Sequence, residues 1–256
     1  MNRWLIIDVS NWAYRLLYAC GPGERSLRMF FRWAEVCEQA TQPHRVVLCY
    51  DTDGPSFRHQ IAGDYKAGRR DEPIGLPELI NRIRQQAIEN AWDNLSADGF
   101  EADDCIATVT DLALASDGQV IVCSSDKDLF QLLIEGRVII IRDVSVKTGV
   151  TWYNASDLHA DQSLHPHQWS DYLTLVGDSV DNVSGCDGIG EKTARQLLVS
   201  AGSIDNHFRS PFRGGLSDRH RARLSGWKKS GGLDRTRQLI HLRNDVPLPD
   251  GWEPAT

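Results

Sequence analysis

No stretch of this 256-residue sequence is apolar for long enough to cross a bilayer, so a membrane-spanning protein is excluded. The opening Met1-Asn-Arg-Trp-Leu-Ile-Ile-Asp8 turns polar too early for a signal peptide. The six cysteines include no CxxC pair, which argues against a structural zinc site or a disulfide framework. Cys49, Cys105 and Cys123 lie in apolar runs and read as small reduced core residues of a cytoplasmic protein. Internal repeats and low-complexity tracts are missing as well. An excess of positive charge is also lacking: the formal net charge is −7, which at first argues against a nucleic-acid partner.

What the sequence has instead is carboxylates in unusual places. Glu101-Ala-Asp-Asp104 puts three acids in four residues, just ahead of a helical run, Cys105–Ala115. Acids at a helix N-terminus are ordinary caps, favoured by the dipole. Here they do not stand alone. Short apolar runs of strand type, Trp4–Asp8, Arg45–Asp51 and Val120–Asp126, each end on an acid. Val138–Arg142 is a fourth such run. Continuous apolar strands indicate a parallel sheet buried on both faces. The helical segments Leu27–Ala40, Leu76–Leu95, Asp103–Ala115 and Lys127–Leu133 alternate with them, so the class is α/β. Ligands of such sheets bind beyond the carboxyl ends of the strands, where Asp8, Asp51 and Asp126 are delivered. Asp128 shares a side with Asp126 on extended chain, and Asp178 and Asp181 share a face of a helical turn. Hard divalent cations need oxygen ligands of this kind. Of the 35 acidic residues, nine are Asp8, Asp51, Glu101, Asp103, Asp104, Asp126, Asp128, Asp178 and Asp181. Without them, 26 acids face 28 basic residues. The acidic balance is therefore compatible with a phosphodiester substrate if these nine hold metal.

The character of the chain changes near Gly149–Thr151, and after Trp152 no buried strand is expected. The rest reads as helices over Pro166–Val176, Glu191–Ala201, Ser217–Lys229 and Leu233–Arg243. This divides the chain into an α/β domain, 1–150, and a helical domain, 151–256. In Gly185–Ala194, Gly188 and Gly190 let the backbone approach a phosphate at a helix start, with Lys192 adding charge. The segment Ser56–Arg70 rises from the edge that carries Asp51, and its Arg58, Lys66, Arg69 and Arg70 are placed to grip phosphates. Tyr14 and Arg15, just past Asp8, can stack on or clamp a terminal nucleotide, although Tyr14 equally suits the core of a first helix.

Six motifs in order now carry a resemblance. Ser56-Phe-Arg-His59, Tyr65-Lys-Ala-Gly-Arg69, Phe100-Glu-Ala-Asp-Asp104, Ser125-Asp-Lys-Asp-Leu129, Gly177-Asp-Ser-Val-Asp-Asn182 and Gly188-Ile-Gly-Glu-Lys-Thr-Ala194 resemble those of the 5′ nucleases. That family comprises the N-terminal nuclease domain of bacterial DNA polymerase I, its phage counterparts and, more distantly, the flap endonucleases. The resemblance implies a PIN-like metal-dependent nuclease core with an arch, then a helix–three-turn–helix DNA-binding domain. It implies one metal site around Asp8, Asp51, Glu101, Asp103 and Asp104, and a second served by Asp126, Asp128, Asp178 and Asp181. Lys66 and Arg69 match arch residues that engage the scissile phosphate, and Gly188, Gly190, Lys192 and Thr193 match the DNA-backbone hairpin. The implied cofactors are two Mg²⁺ ions, with Mn²⁺ able to substitute, and a K⁺ at the hairpin. The implied substrates are DNA flaps, nicks and 5′ ends, and RNA primers. A DNA polymerase is the implied functional partner of a monomeric nuclease, standing alone or expressed as a separate domain. Ala19–Ser26 is shorter than in the polymerase domain, which bears on the pocket for the 5′ end.

Three rivals are weaker. A DNA-binding protein without activity would lack some of the acids, and none is missing. A PIN-type ribonuclease generally lacks the Gly-Ile-Gly segment. A phosphatase using Asp8 as nucleophile would want an acid at position 10, where Ser10 stands.

Overall fold

The computed structural model describes residues 2–69, 71–210, 215–249 and 252. In chain order the elements are β1 (Arg3–Asp8), α1 (Val9–Cys20), α2 (Glu24–Thr41), β2 (Arg45–Cys49), α3 (Phe57–Ile61), α4 (Leu76–Glu89), β3 (Asp93–Leu95), α5 (Ala102–Ala115), β4 (Gln119–Cys123), β5 (Val138–Ser145) and β6 (Gly149–Tyr153). They continue with α6 (Ala155–Gln162), α7 (Pro166–Val176), β7 (Gly177–Asp178), β8 (Val183–Ser184), α8 (Glu191–Ala201), α9 (Ile204–Arg209), α10 (Asp218–Lys229) and α11 (Gly232–Ile240). Two compact units result. The first takes Met1–Ser56, Asp71–Asn154 and Leu242–Thr256, and the second Phe57–Arg70 and Ala155–His241. This partition departs from a single cut at residue 150: the segment carrying α3 clusters with the later helices, and the chain returns to the first unit at Leu242.

In the first unit the sheet order is β3-β2-β1-β4-β5-β6. The strands from β3 to β5 are parallel, and β6 is antiparallel to β5. Trp4 to Asp8 are all buried, as their continuous apolar run demands. The chain steps outward from β1 through β2 to β3, then crosses back to lay β4 on the other side of β1. That reversal opens a crevice at the carboxyl ends of β1 and β4. One face is filled by α1, α2 and α4. Helix α2 buries Leu27, Phe30, Phe31, Ala34 and Cys37, and α4 buries Leu76, Leu79, Ile83 and Ala87, both at helical spacing. Trp12 meets Phe30 and Trp33 edge-on at 5.3 and 5.5 Å, which fixes α1 against α2.

Three elements differ from the sequence reading. The helix expected over Leu76–Leu95 stops at Glu89, because Ala91 takes a left-handed φ of 56° and Trp92 N–H returns to Ala87 O. The freed residues make β3 instead. The helix expected over Lys127–Leu133 is a 3₁₀ turn, Asp128–Leu132, started by the Asp126 side chain accepting from Asp128 N–H. Gly149–Tyr153, read as a change of character, is an edge strand with a half-exposed pattern.

The second unit is mainly helical, with the two-residue pair β7–β8 as its exception. Gln168 Nε2 donates to Leu198 O and Gly202 O at 2.8 and 3.1 Å, tying α7 to α8. Asp171 accepts from Ile204 N–H at 2.8 Å and from Arg237 at 3.2 Å. The β7–β8 pair exists because Gly177 and Gly185 bring two backbones closer than any side chain allows. A Cβ on Gly177 (φ +76°) would lie 2.4 Å from Gly185 N and Val183 O.

Gly177→Ala is therefore expected to destabilise the protein by about 2–4 kcal/mol. Gly63→Ala, where a Cβ meets nothing within 4 Å, should leave the melting temperature within about 1 °C of wild type. Thermal denaturation of the two variants side by side is the check; equal melting temperatures would refute the close approach.

Candidate metal centre

The ends of β1, β2 and β4 lie side by side, with Asp8 opposite Cys49 and Ile7 opposite Cys123. Each strand hands an acid to this edge. Asp8 is the last residue of β1, Asp51 follows β2, and Asp126 follows β4. The first turn of α5 adds Asp103, and the 3₁₀ turn adds Asp128.

Asp8 is buried and caps α1: one oxygen accepts from Asn11 N–H at 3.0 Å, the other from Ser124 Oγ at 2.7 Å. Burial pushes its pKa up to about 7; the hydrogen bonds from Asn11 and Ser124 oppose this, and the charges of Asp51 and Asp126 add to it. Asp103 is driven well above the carboxylate range, first by desolvation and then by repulsion from Asp126, Asp8, Asp128 and Asp51. The five acids Asp8, Asp51, Asp103, Asp126 and Asp128 thus share one electrostatic neighbourhood. Asp51 also accepts from Ala102 N–H at 2.9 Å, at the start of α5.

The other two acids of the Glu101–Asp104 motif do different work. Asp104 is fully buried; it accepts from Glu101 N–H at 3.2 Å, half of a capping box, and from Arg243 N–H at 2.8 Å. It therefore pins the returning segment after Leu242 to α5. Glu101 accepts from Ser56 Oγ at 3.0 Å. Cys105 beside them has its thiol pushed up to about 12, mainly by burial, and stays a protonated core residue.

Among the described residues, no group of three His, Cys, Asp or Glu side chains is already closed up to the spacing that encloses an ion. The donor chemistry nevertheless fits a hard divalent cation: the charged groups that act on Asp8 and Asp103 are all carboxylates, and they repel one another.

In the second unit, Asp178 and Asp181 are both buried. Asp178 accepts from Val180 N–H at 2.7 Å. Asp181 accepts from Tyr65 OH at 3.1 Å on one oxygen, and from Arg69 Nε and Nη2 at 2.8 and 2.5 Å on the other. Its backbone oxygen accepts from Lys66 N–H at 2.9 Å, and Lys66 has φ +59°. The Lys66 ammonium lies 5.1 Å from the Tyr65 ring centroid. Residues expected at a phosphate are thus folded onto an acid expected at a metal.

Arg58 corrects the sequence reading. It is buried, and its guanidinium donates to Leu239 O at 2.8 Å and His241 O at 3.3 Å, so it holds the carboxyl end of α11 instead of facing a phosphate. Arg15 forms an ion pair with Asp143 and stands 5.2 Å from the Trp33 ring, bracing α1 against β5 and α2. Tyr14 is half-buried against the core of the first unit, the alternative foreseen for it. Arg70 lies outside the described residues. At the start of α8, Gly188 has φ +74°, Gly190 is the cap, Lys192 is exposed, and Thr193 N–H bonds Gly190 O at 3.0 Å. Arg223 donates to Asp187 O at 3.0 Å and pairs with its carboxylate, bracing this turn from α10. Ser124, Asn11 and Arg223 escaped the sequence reading. Only Ser124 left a trace, a hydroxyl two residues before Asp126 at a strand end.

The family model for the 5′-3′ exonuclease N-terminal resolvase-like domain matches residues 3–162, and that for the 5′-3′ exonuclease C-terminal SAM fold matches residues 164–255. Thermostable DNA polymerase I of Thermus thermophilus is 32% identical over 256 residues, covering 96% of this chain and 29% of the polymerase. The 5′-3′ exonuclease of Bacillus subtilis is 29% identical over 268 residues, covering 96% of this chain and 85% of that protein. The structure of the phage T5 5′-exonuclease with bound zinc ions has the same fold, with a TM-score of 0.74 at 20% identity over 93% of this chain and 89% of that one. The chain spans under a third of the length of the polymerases it matches.

The raised pKa of Asp8 gives a pH signature. Its folded value, about 7, lies above the ordinary 3.8, so the metal-free fold favours the protonated acid. That stability is complete below about pH 4 and is lost as the pH rises through about 7. A divalent ion selects the ionised form, so the rise in melting temperature on adding Mg²⁺ or Mn²⁺ should be larger near pH 8 than near pH 5. Asp8→Asn should raise the metal-free melting temperature near pH 8 and remove most of the ion-induced gain. Calorimetry with and without chelator measures both; equal gains at the two pH values would contradict the assignment.

Proposed function

The chain belongs to the 5′-3′ exonuclease family, and on that premise we propose that it is a structure-specific 5′ nuclease, both exonuclease and flap endonuclease, that hydrolyses DNA phosphodiesters. The observation that carries the reading is the convergence of Asp8, Asp51, Asp103, Asp126 and Asp128 on one side of a parallel sheet, at its reversal point. Desolvated, mutually repelling carboxylates in that crevice are costly unless a cation joins them.

Asp8, Asp51, Asp103 and Asp126 would hold one Mg²⁺, with Asp128 and Glu101 beside it; Asp104 serves chiefly to seat α5. Asp178 and Asp181 are the acids offered to a second ion. When bound, such ions supply an activated water and a Lewis-acid hold on the leaving oxygen. The chain's own groups do the rest. Lys66 and Arg69 offset negative charge on the scissile phosphate. The backbone N–H groups at the start of α8, opened by Gly188 and Gly190 and helped by Lys192 and Thr193, hold the sugar–phosphate backbone without reading bases. In finer terms the sheet-bearing first unit is a PIN-like core, the segment around Tyr65 is the arch, and the helices of the second unit form a helix–three-turn–helix domain that takes a K⁺ at its hairpin. DNA with 5′ flaps, nicks or ends, and RNA primers, are the substrates, with a DNA polymerase as functional partner. No helix among the described residues is long and apolar enough to cross a membrane. A monomer acting in the cytoplasm is part of the same proposal.

The test is cleavage of a 5′-labelled flap and a nicked duplex, with Mg²⁺ or with chelator, beside Asp126→Ala. Cutting near the junction should need the metal and fall by roughly 10²-fold or more in the variant, while DNA binding persists. Binding without cutting under any divalent ion would replace the nuclease reading with that of a structure-specific DNA-binding protein.

A further inference from the structure

The ends of β1 and β4 are joined by more than the sheet ladder. Ser124, wholly buried, is the first residue past β4, and its own N–H is fixed to Ile141 O at 3.2 Å on β5. Its hydroxyl accepts from Asp126 N–H at 3.0 Å and has one proton, which goes to Asp8 at 2.7 Å. With Asp8 ionised, as a cation requires, the direction of this chain of bonds is set, because a backbone N–H only donates and a carboxylate only accepts. Alongside it, Asn11 gives its N–H to the other oxygen of Asp8 at 3.0 Å. The Asn11 side-chain oxygen accepts from Ser125 N–H and Ser125 Oγ at 3.2 and 3.0 Å. The acid at the end of one strand is thereby locked in the frame of the acid that follows the next.

We propose that Ser124 is a positioning residue for the metal centre: its hydroxyl, held by Asp126 N–H and donating to Asp8, fixes the plane and spacing in which these two acids meet a divalent ion. The inference rests on the metal-dependent reading given above and deepens it. A carboxylate at the end of a side chain turns easily about its last bond. Donors on both oxygens stop that rotation, and each oxygen keeps a second lone pair for a cation. Groups that orient ligands without touching the ion commonly change affinity by 10–100-fold when removed. A threonine at 124 keeps the same oxygen and the same proton, whereas alanine leaves Asp8 with one donor and Asp126 N–H without this acceptor. A purely structural hydroxyl would alter stability alone. A positioning hydroxyl alters ion affinity, and its loss is overcome by more ion.

The experiment titrates the full chain with Mn²⁺, followed by calorimetry and by the electron-paramagnetic signal of free Mn²⁺, for wild type, Ser124→Ala, Ser124→Thr and Asp103→Asn. The apparent Mn²⁺ constant for flap cleavage is read in parallel. The expected result is Mn²⁺ binding that depends on Asp103. Ser124→Ala should bind about 10-fold more weakly, with cleavage at saturating Mn²⁺ within about 3-fold of wild type, and Ser124→Thr should bind within about 2-fold of wild type. If Ser124→Ala does not fold, Ser124→Cys takes its place, since a thiol fills the site but donates weakly. Should wild type bind Mn²⁺ while the Ala or Cys variant binds it equally well, or should Thr fail to rescue, the positioning role is overturned and the metal reading stands. Should wild type bind no Mn²⁺, the metal reading falls and takes this inference with it.

Discussion

Like charges cannot be gathered in a place that water reaches poorly unless protons or cations join them. That constraint organises the first unit. Three apolar strands bury themselves on both faces, so polar side chains are confined to their ends. The reversal of strand order beside β1 then brings the ends of β1 and β4 together as a crevice. Asp8 and Asp103 are both displaced toward the protonated form, desolvation being the largest cause for each. The fold thus stores an unfavourable charge arrangement that a hydrogen-bonded frame only partly offsets. The frame is made of small groups: Asn11, Ser124, Ser125 and the N–H of Ala102. None of them carries charge, so they orient the acids without neutralising them, which leaves the electrostatic demand for a cation intact.

Within the Glu101–Asp104 motif, neighbouring acids have opposite fates because an α-helix turns about 100° per residue. Asp103 is carried toward the other strand ends. Asp104, one step on, points to the backbone, where it closes half of a capping box and receives Arg243 N–H. A fully buried carboxylate with two backbone donors is stabilised by those donors directly. Asp104 is therefore committed to the backbone while Asp103 stays available, and a single motif both builds the helix start and arms it.

What the sequence makes legible follows from how local the cause is. β1, β2 and β4 are legible because their burial on both faces writes an uninterrupted apolar run, and the acid ending each run marks the edge that matters. α7 and α8 are legible from Pro166 at a first helical position and from the glycines ahead of Glu191. β3 is not, since its three residues borrow their pairing from β2, and only the left-handed turn at Ala91 separates them from α4. The division between Asp103 and Asp104 is not, because both are equally suitable caps until the segment after Leu242 arrives. Arg58 is the sharpest case. In sequence it belongs to a basic stretch that looks made for phosphates. In space its guanidinium meets the carbonyl oxygens of Leu239 and His241, acceptors about 180 residues away that no local pattern announces.

Asp181 raises the same question of competing demands in the second unit. Its two oxygens are shared by Tyr65 and Arg69, and the neighbouring backbone is bound by Lys66 N–H, so the segment around Tyr65 and the turn around Asp181 are fastened as one piece. The Arg69 side chain is close to half exposed, so this ion pair is partly screened and individually weak, and a divalent cation is a stronger partner for a carboxylate than a screened guanidinium. On the proposal that Asp181 receives a cation, Arg69 and that cation would compete for one oxygen, and by linkage whatever draws Arg69 away would favour the cation to the same degree. A phosphate is a group that can draw it away, because it offers a guanidinium the bidentate acceptor that Asp181, engaged here through a single oxygen, does not. If Asp181 and Arg69 take the roles proposed for them, occupancy by an ion and engagement of a phosphate at this pair reinforce one another.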